Sequence, residues 1–210
     1  ECAAMHMCIG AALGGMKVMT ATSGPGFILY ADPYGWALGC ETPAVVLNSG
    51  RVGPVSGITG APGQGEFYLM RYPTQGGNFE TICLAPNSAQ ECMAMTVEAF
   101  YLAERFRMPV SVLADQLITD GFEDISVPEN ENEMQEMGFR TWPRKVCQGP
   151  NFYPATDELD IPPVVLGHNT GAMCSDWTPT EEGYDIEEVE AHHKHAYRLI
   201  YKVRNNRDLF

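Results

Sequence analysis

Apolar residues follow two alternating rhythms along this chain, short unbroken runs and stretches spaced three to four apart. Residues 1–14 (ECAAMHMCIGAALG) are small and apolar with almost no polar face, and Gly14-Gly15 stops them; this predicts a buried helix. Lys17 to Thr22 (KVMTAT) predicts a short strand that runs into a Ser23-Gly24-Pro25-Gly26 turn. A second helix is expected from about Phe27, with a break and new start at Asp32-Pro33, because proline is tolerated at the first helical position. Pro43 to Asn48 (PAVVLN) is an unbroken apolar run of the kind a parallel strand needs when both its faces are buried. A glycine-rich loop follows from Ser49 to Gly65.

The alternation resumes with Thr81 to Leu84 (TICL) as a strand. Ser88 can cap the next helix, and Glu91 stands at capping-box spacing from it. That helix carries Met93, Val97, Phe100, Tyr101 and Phe106 at helical spacing, and Pro109 to Ala114 (PVSVLA) is again a strand. Strand and helix in alternation predict an α/β fold, a doubly wound parallel sheet whose ligands bind beyond the carboxyl ends of the strands. After about Gly121 the rhythm fades. Residues 123–185, rich in Glu, Asn, Pro and Gly, predict an extended excursion over a surface. Asp185 to Asn205 predicts a charged terminal helix, with Val189, His193, Tyr197, Ile200 and Val203 on one stripe. The expected division is therefore 1–122 as the sheet domain and 123–210 as a surface segment and C-terminal helix of the same domain. No internal repeat is visible.

Composition narrows the function classes. A chain of 210 residues suits one domain, and 45% hydrophobic against 19% charged residues describes a folded chain. Thirteen basic against 27 acidic residues give a net charge of −14, which argues against nucleic acid and anionic membranes as partners. Gly, Pro, Asn or Asp breaks each apolar run well short of the roughly 20 residues that span a bilayer. No secretory leader pattern opens the sequence, and the expected location is cytoplasmic. The chain opens on Glu1 inside a helical pattern already running, so its true start is expected upstream. Seven cysteines occur without a CxxC spacing; they are expected to be reduced, buried thiols, none in an electropositive setting, with no zinc or iron–sulfur ligation by this chain.

Candidate chemistry gathers after the strands. Ser23 to Gly26, Gly50 to Gly65 and Gly76-Gly77 place glycines where main-chain N–H groups could approach a ligand. SGPG fits neither GxGxxG nor a Walker A loop, so a nucleotide-phosphate role is disfavoured. Arg51 follows the PAVVLN strand at the expected mouth of the sheet, and its planar fork could grip a carboxylate; a solvated loop arginine is the plainer alternative. Glu1 heads an apolar helix, where a carboxylate answering the helix dipole is common. His192, His193 and His195 lie on the terminal helix with Glu188 four residues before His192; a solvated or packing face outweighs a metal site there. No GxSxG or comparable nucleophile motif occurs.

Read in order, these pieces resemble the α subunit of the 2-oxoacid:ferredoxin oxidoreductases, most closely the 2-oxoglutarate type. The matching stretches are Glu1, Ile9-Gly10-Ala11, Thr20 to Phe27 (TATSGPGF), Glu41-Thr42-Pro43, Arg51-Val52-Gly53-Pro54 and Gln64-Gly65-Glu66. They continue with Ile82 to Pro86, Ala103-Glu104-Arg105 and Pro109 to Gln116. His168-Asn169-Thr170-Gly171 and the closing helix resemble the family's last segment more loosely. Val52 and Val55-Ser56-Gly57 depart from the usual Gly and Ser-Thr-Gly, and Gly76 to Glu80 leans toward branched-chain 2-oxoacid relatives.

The resemblance implies a thiamine-diphosphate-binding fold of the pyrimidine type and oxidative decarboxylation of a 2-oxoacid, 2-oxoglutarate foremost, to an acyl-CoA with reduction of ferredoxin. It implies that Glu1 meets the cofactor's pyrimidine ring nitrogen, that Ser23, Gly24, Pro25 and Gly26 flank the cofactor, and that Arg51 and Ser56 receive the substrate. It further implies a β subunit carrying the diphosphate site with Mg²⁺ and an iron–sulfur cluster, and a γ subunit in some assemblies. The alternatives are a branched-chain (2-oxoisovalerate) enzyme subunit, a non-catalytic partner or scaffold that kept the fold, or a metal-binding module built on the terminal histidines.

Overall fold

The computed structural model describes residues 1–142, 152–153, 156–167, 173–174 and 177–210. Helix α1 (Cys2–Leu13) leads into β1 (Met19–Ser23), and a short α2 (Pro25–Ile28) and α3 (Ala31–Gly39) lead on to β2 (Ala44–Gly50). Helix α4 (Phe67–Arg71) and β3 (Ile82–Leu84) precede the long α5 (Ala89–Phe106) and β4 (Pro109–Asp115). Then come α6 (Gln116–Thr119), α7 (Glu131–Glu136), α8 (Val189–Arg204) and a closing 3-10 turn. The four strands are all parallel in the order β1-β2-β4-β3, so the α/β doubly wound expectation holds.

The sheet forms where the sequence is most continuously apolar. Val45, Val46, Val110 and Val112 are fully buried, and each contributes on the order of 1.5–3 kcal/mol through removal from water. Helices α1 and α3 pack together, while α5 lies on β4 and β2. Phe27, Tyr30 and Tyr34 fill the space beside them, with the Phe27 and Tyr30 rings edge to face at 5.9 Å. Ser88 caps α5 by accepting from the Glu91 amide at 3.1 Å, and Glu91 Oε2 in turn accepts from the Asn87 amide at 2.9 Å.

The acidic segment after Gly121 departs from its expected plainness. It contains α7, whose first turn is capped by the Asn130 carboxamide oxygen, and it buries Phe152, Tyr153, Leu159, Val164 and Val165. Helix α8 starts at Val189, with Glu188 as its N-cap, rather than at Asp185. Its inward face also differs from the apolar stripe. Val189 and Tyr197 are exposed, whereas Arg198, Leu199, Lys202 and Val203 are buried.

A carboxylate from the other end of the molecule explains those buried cations. Glu41, in the turn between α3 and β2, accepts from Arg198 Nε at 2.5 Å and from Arg198 Nη2 at 3.0 Å. Arg107 Nε and Lys202 Nζ stand 3.1 and 3.7 Å from the same carboxylate. Burial would push the Glu41 carboxyl up, but Arg198, Lys202 and Arg107 together hold it far below the usual carboxylate range. The terminal helix is therefore fastened to the sheet by charge as well as by Leu199 and Val203.

Candidate functional site

Register brings the strand ends into line. Ser23 pairs with Ser49 and Gly50 pairs with Asp115, so the residues leaving β1, β2 and β4 meet along one edge of the sheet. A polar chain links them: Ser23 Oγ donates to the Ser49 carbonyl at 3.0 Å, and Ser49 Oγ donates to Gln116 Oε1 at 3.1 Å. Thr119 Oγ1 lies 2.6 Å from Ser49 Oγ, and Gln116 Nε2 donates to Asp120. These side chains are positioned by consecutive strand ends, the location that an α/β sheet offers to ligands.

Above this edge opens a cavity of about 620 Å³ lined by Glu1, Thr22, Ser23, Arg51, Thr59 and the Ser49-Gln116 pair among others. Glu1 reaches it from the N-cap of α1, with no hydrogen bond from its side chain back to the helix. Its carboxylate is thus not spent on capping. Arg51 reaches it from the end of β2, and its Nε is buried without a hydrogen-bond partner.

The SGPG turn shows why it needs glycine. Gly24 has φ of 58°, in the left-handed region that side chains rarely adopt, and a Cβ there would strike the Arg51 guanidinium, 3.0 Å from Nη2. A Cβ on Gly26 would stand 2.7 Å from Glu1 Oε1 and would also strike the Thr22 hydroxyl. A carboxylate and a guanidinium therefore rest on two glycines of one turn, with Pro25 between them starting α2.

The glycine-rich loop folds back on itself: Arg51 bridges Pro62, and the Val52 amide donates to the Ala61 carbonyl at 3.0 Å. At its tip Val55 and Gly57 both hold positive φ. Ser56 sits between them, exposed, and does not line the cavity that Glu1, Ser23 and Arg51 share; Thr59 does. On the other side of Arg51 lies a second, more apolar cavity of about 460 Å³, walled by Ile28, Val52, Pro54, Val55 and Leu69.

Sequence reasoning singled out Glu1, Ser23 to Gly26 and Arg51, and these come together. It assigned no role to Ser49, Thr59, Gln116, Thr119 or Asp120. The available signal was position: Ser49 stands one residue, and Gln116 two residues, past a predicted strand end.

The histidines do not converge. His192 Nδ1 stands 3.0 Å from Thr178 Oγ1, His193 is exposed, and burial pushes His195 down to about 4. No group of three or more His, Cys, Asp or Glu placed to hold a metal occurs among the described residues. The expectation of buried thiols needs correction: among the described cysteines only Cys40 is buried, Cys8, Cys83, Cys92 and Cys174 are half-buried, and Cys2, on the first turn of α1, is exposed. The Cys174 thiol is drawn below its usual value chiefly by a hydrogen bond with Cys40, against the opposing effect of burial. His168 to Gly171 lie outside the described residues. No helix among the described residues is long and apolar enough to cross a membrane.

Comparison with known proteins places the chain in a family. A family model described as pyruvate flavodoxin/ferredoxin oxidoreductase, thiamine diphosphate-binding, matches residues 1–196. The chain is similar to 2-oxoglutarate synthase subunit KorA of Methanocaldococcus jannaschii, at 36% identity over 200 residues, covering 95% of this chain and 53% of that protein. It is also similar to ketoisovalerate oxidoreductase subunit VorB of Methanothermobacter marburgensis, at 41% identity over 133 residues, covering 63% of this chain and 38% of that one. Among solved structures it resembles the 2-oxoglutarate:ferredoxin oxidoreductase from Magnetococcus marinus with 2-oxoglutarate, coenzyme A and succinyl-CoA bound. The TM-score is 0.84 at 26% identity, covering 99% of this chain and 36% of that one. The chain spans about half the length of the curated relatives of the 2-oxoglutarate type that it matches. With a family match running over residues 1–196 and a relative at 36% identity across almost the whole chain, this protein belongs to the pyruvate flavodoxin/ferredoxin oxidoreductase, thiamine diphosphate-binding family.

Proposed function

We propose that this chain is the pyrimidine-side half of a shared thiamine diphosphate site, in the α subunit of a 2-oxoacid:ferredoxin oxidoreductase that acts on 2-oxoglutarate. The observation that carries the reading is the seating of Glu1 and Arg51 on the two glycines of one turn. The residues present fit the aminopyrimidine end of that cofactor: an uncommitted carboxylate lines the cavity, and the absence of a Cβ at Gly26 lets that carboxylate lie against the turn. When bound, thiamine diphosphate supplies the carbon nucleophile and electron sink that let a 2-oxoacid lose CO₂.

Each side chain then has a definite task. Glu1 holds a proton against the pyrimidine ring nitrogen, which favours the cofactor's basic imino form. Arg51 holds the substrate carboxylate by charge-assisted hydrogen bonds and orients the adjacent carbonyl. Ser23 to Gly26 form the wall that separates the two ionic groups. Ser56 joins the substrate site only if the 55–57 tip folds down on binding. The diphosphate with its Mg²⁺, the iron–sulfur clusters and the docking of ferredoxin belong to partner subunits, a β subunit and in some assemblies a γ subunit; CoA takes the acyl group.

A second reading of the substrate, a branched-chain 2-oxoacid, is favoured by one specific feature, the apolar cavity walled by Ile28, Val52, Pro54, Val55 and Leu69 beside Arg51. One experiment tests both. The chain is produced within its full reading frame together with its partner subunits, and CoA-dependent viologen reduction is followed with 2-oxoglutarate and with 2-oxoisovalerate. A higher kcat/KM for 2-oxoglutarate is expected. A preference for 2-oxoisovalerate would select the branched-chain reading, and turnover of neither would leave a non-catalytic partner protein.

A further inference from the structure

Glu66 has no part in the chemistry described so far, yet it sits where the glycine-rich loop closes onto the sheet. The loop leaves β2 at Arg51 and ends at Glu66, the N-cap of α4. The Glu66 carbonyl accepts from the Leu69 and Met70 amides at 3.0 and 3.2 Å, and Met70 is buried, so the position of Glu66 is fixed by α4. Its carboxylate Oε2 accepts from Asn48 Nδ2 at 2.5 Å. Asn48 is itself fully buried in β2, three residues before Arg51.

Glu66 and Arg51 line the same apolar cavity. Burial pushes the Glu66 carboxyl up, while the Asn48 amide and the main-chain amide and charge of Arg51 favour its ionised form. The Arg51 guanidinium lies against Gly24, which lines that same cavity. An arginine fork binds a carboxylate well only when its plane is held, because a free side chain gives up rotamer entropy on binding. Contact with the glycine and the charge of the anchored anion in the same cavity supply that restraint. With Oε2 engaged by Asn48, the anion is held in place and is not free to swing out to the fork that the substrate needs.

We propose that Glu66, held by Asn48 and α4, is a positioning residue that keeps Arg51 on the Ser23–Gly26 turn and so sets the affinity for the 2-oxoacid. This rests on the reading of Arg51 as the substrate anchor. Glu66 touches neither substrate nor cofactor; it acts through Arg51.

The test uses the assembled enzyme and a double-mutant cycle. Glu66→Gln keeps size and hydrogen-bonding shape but removes the charge. It is expected to raise KM for the 2-oxoacid about fivefold to tenfold, the size of one screened charge interaction at the protein surface, with kcat within about twofold. Glu66→Asp is expected to recover part of the affinity, and KM for CoA to stay unchanged. Calorimetric titration with a 2-oxoacid analogue that cannot be decarboxylated should give the same ratio in Kd, and an unchanged thermal midpoint will show that the variant is folded. In an Arg51→Ala background, Glu66→Gln should have no further effect. The proposal is overturned if Glu66→Gln lowers kcat with KM unchanged, or if its full effect persists without Arg51. Arg51→Ala with an unaltered KM would instead remove the substrate-anchor reading itself, and the role of Glu66 with it.

Discussion

At the scale of single residues, the site is defined by two side chains that are absent. Gly26 lets the Glu1 carboxylate and the Thr22 hydroxyl close over the turn, and Gly24 does the same for Arg51 while holding φ at 58°. Gly26→Ala should therefore act on catalysis more than on folding. Displacing the carboxylate by about 1 Å is expected to lower kcat about 100-fold in the assembled enzyme. An unchanged steady-state rate would show that Glu1 tolerates the shift and is not the group that holds the proton. Arg51→Ala should raise KM for the 2-oxoacid about 30-fold or more, as expected for losing charge-assisted hydrogen bonds worth about 2 kcal/mol. These roles were half legible in the sequence. The turn and the arginine stood after predicted strands, but nothing local to Glu1 tells a dipole-answering carboxylate from a catalytic one. Only the tertiary structure brings its carboxylate against Gly26, from another element, into the cavity it shares with Arg51.

At the scale of elements, local pattern and structure agree best where one stretch of chain contains its own reasons. Helix α5 is the clearest case: apolar positions at helical spacing, Ser88 as cap and Glu91 three residues on are all within one segment. Ser88→Ala should cost about 1 kcal/mol, read as a lower denaturant midpoint with an unchanged slope. Strands β2 and β4 were equally plain, because a strand buried on both faces must be apolar nearly throughout. Helix α8 is the counter-example. Its apolar stripe pointed to one face, but Arg198 and Lys202 turn inward, because Glu41 lies 157 residues before Arg198 and three cations gather on it. No window of sequence contains both halves of that interaction.

At the scale of the whole molecule, those buried charges couple the fold to pH. Burial, outweighing the attraction of Glu41, pushes Lys202 down to about 7, and burial likewise pushes His195 down to about 4. Both are bases whose folded form prefers to be neutral, so the unfolded chain binds more protons in the window between folded and unfolded values. Stability should therefore rise with pH from about 4 to 6.5 through His195, and from about 7 to 10.5 through Lys202. Glu41 works in the same direction at the acid end: its folded value is depressed, so its contribution is present above about 4.5 and is lost as pH falls. Thermal midpoints at pH 5, 7 and 9 should increase in that order. A midpoint that falls between pH 7 and 9 would mean that Lys202 keeps its proton. Glu41→Ala should cost about 3–5 kcal/mol, since it strands buried cations.

The sequence by itself determined the alternation of elements, the all-parallel sheet and the sheet edge along which the candidate site opens. Each follows from short-range periodicity and from glycines placed after strands. The register that aligns Ser23, Ser49 and Asp115 was a tertiary decision, as was the clasp of Asn48 on Glu66. So was the inward turn of Arg198 and Lys202 around Glu41. The physical reason is common to all three: a charged or polar side chain takes its role from what faces it, and in this fold the facing group comes from another strand end, the far side of a loop, or the opposite end of the chain.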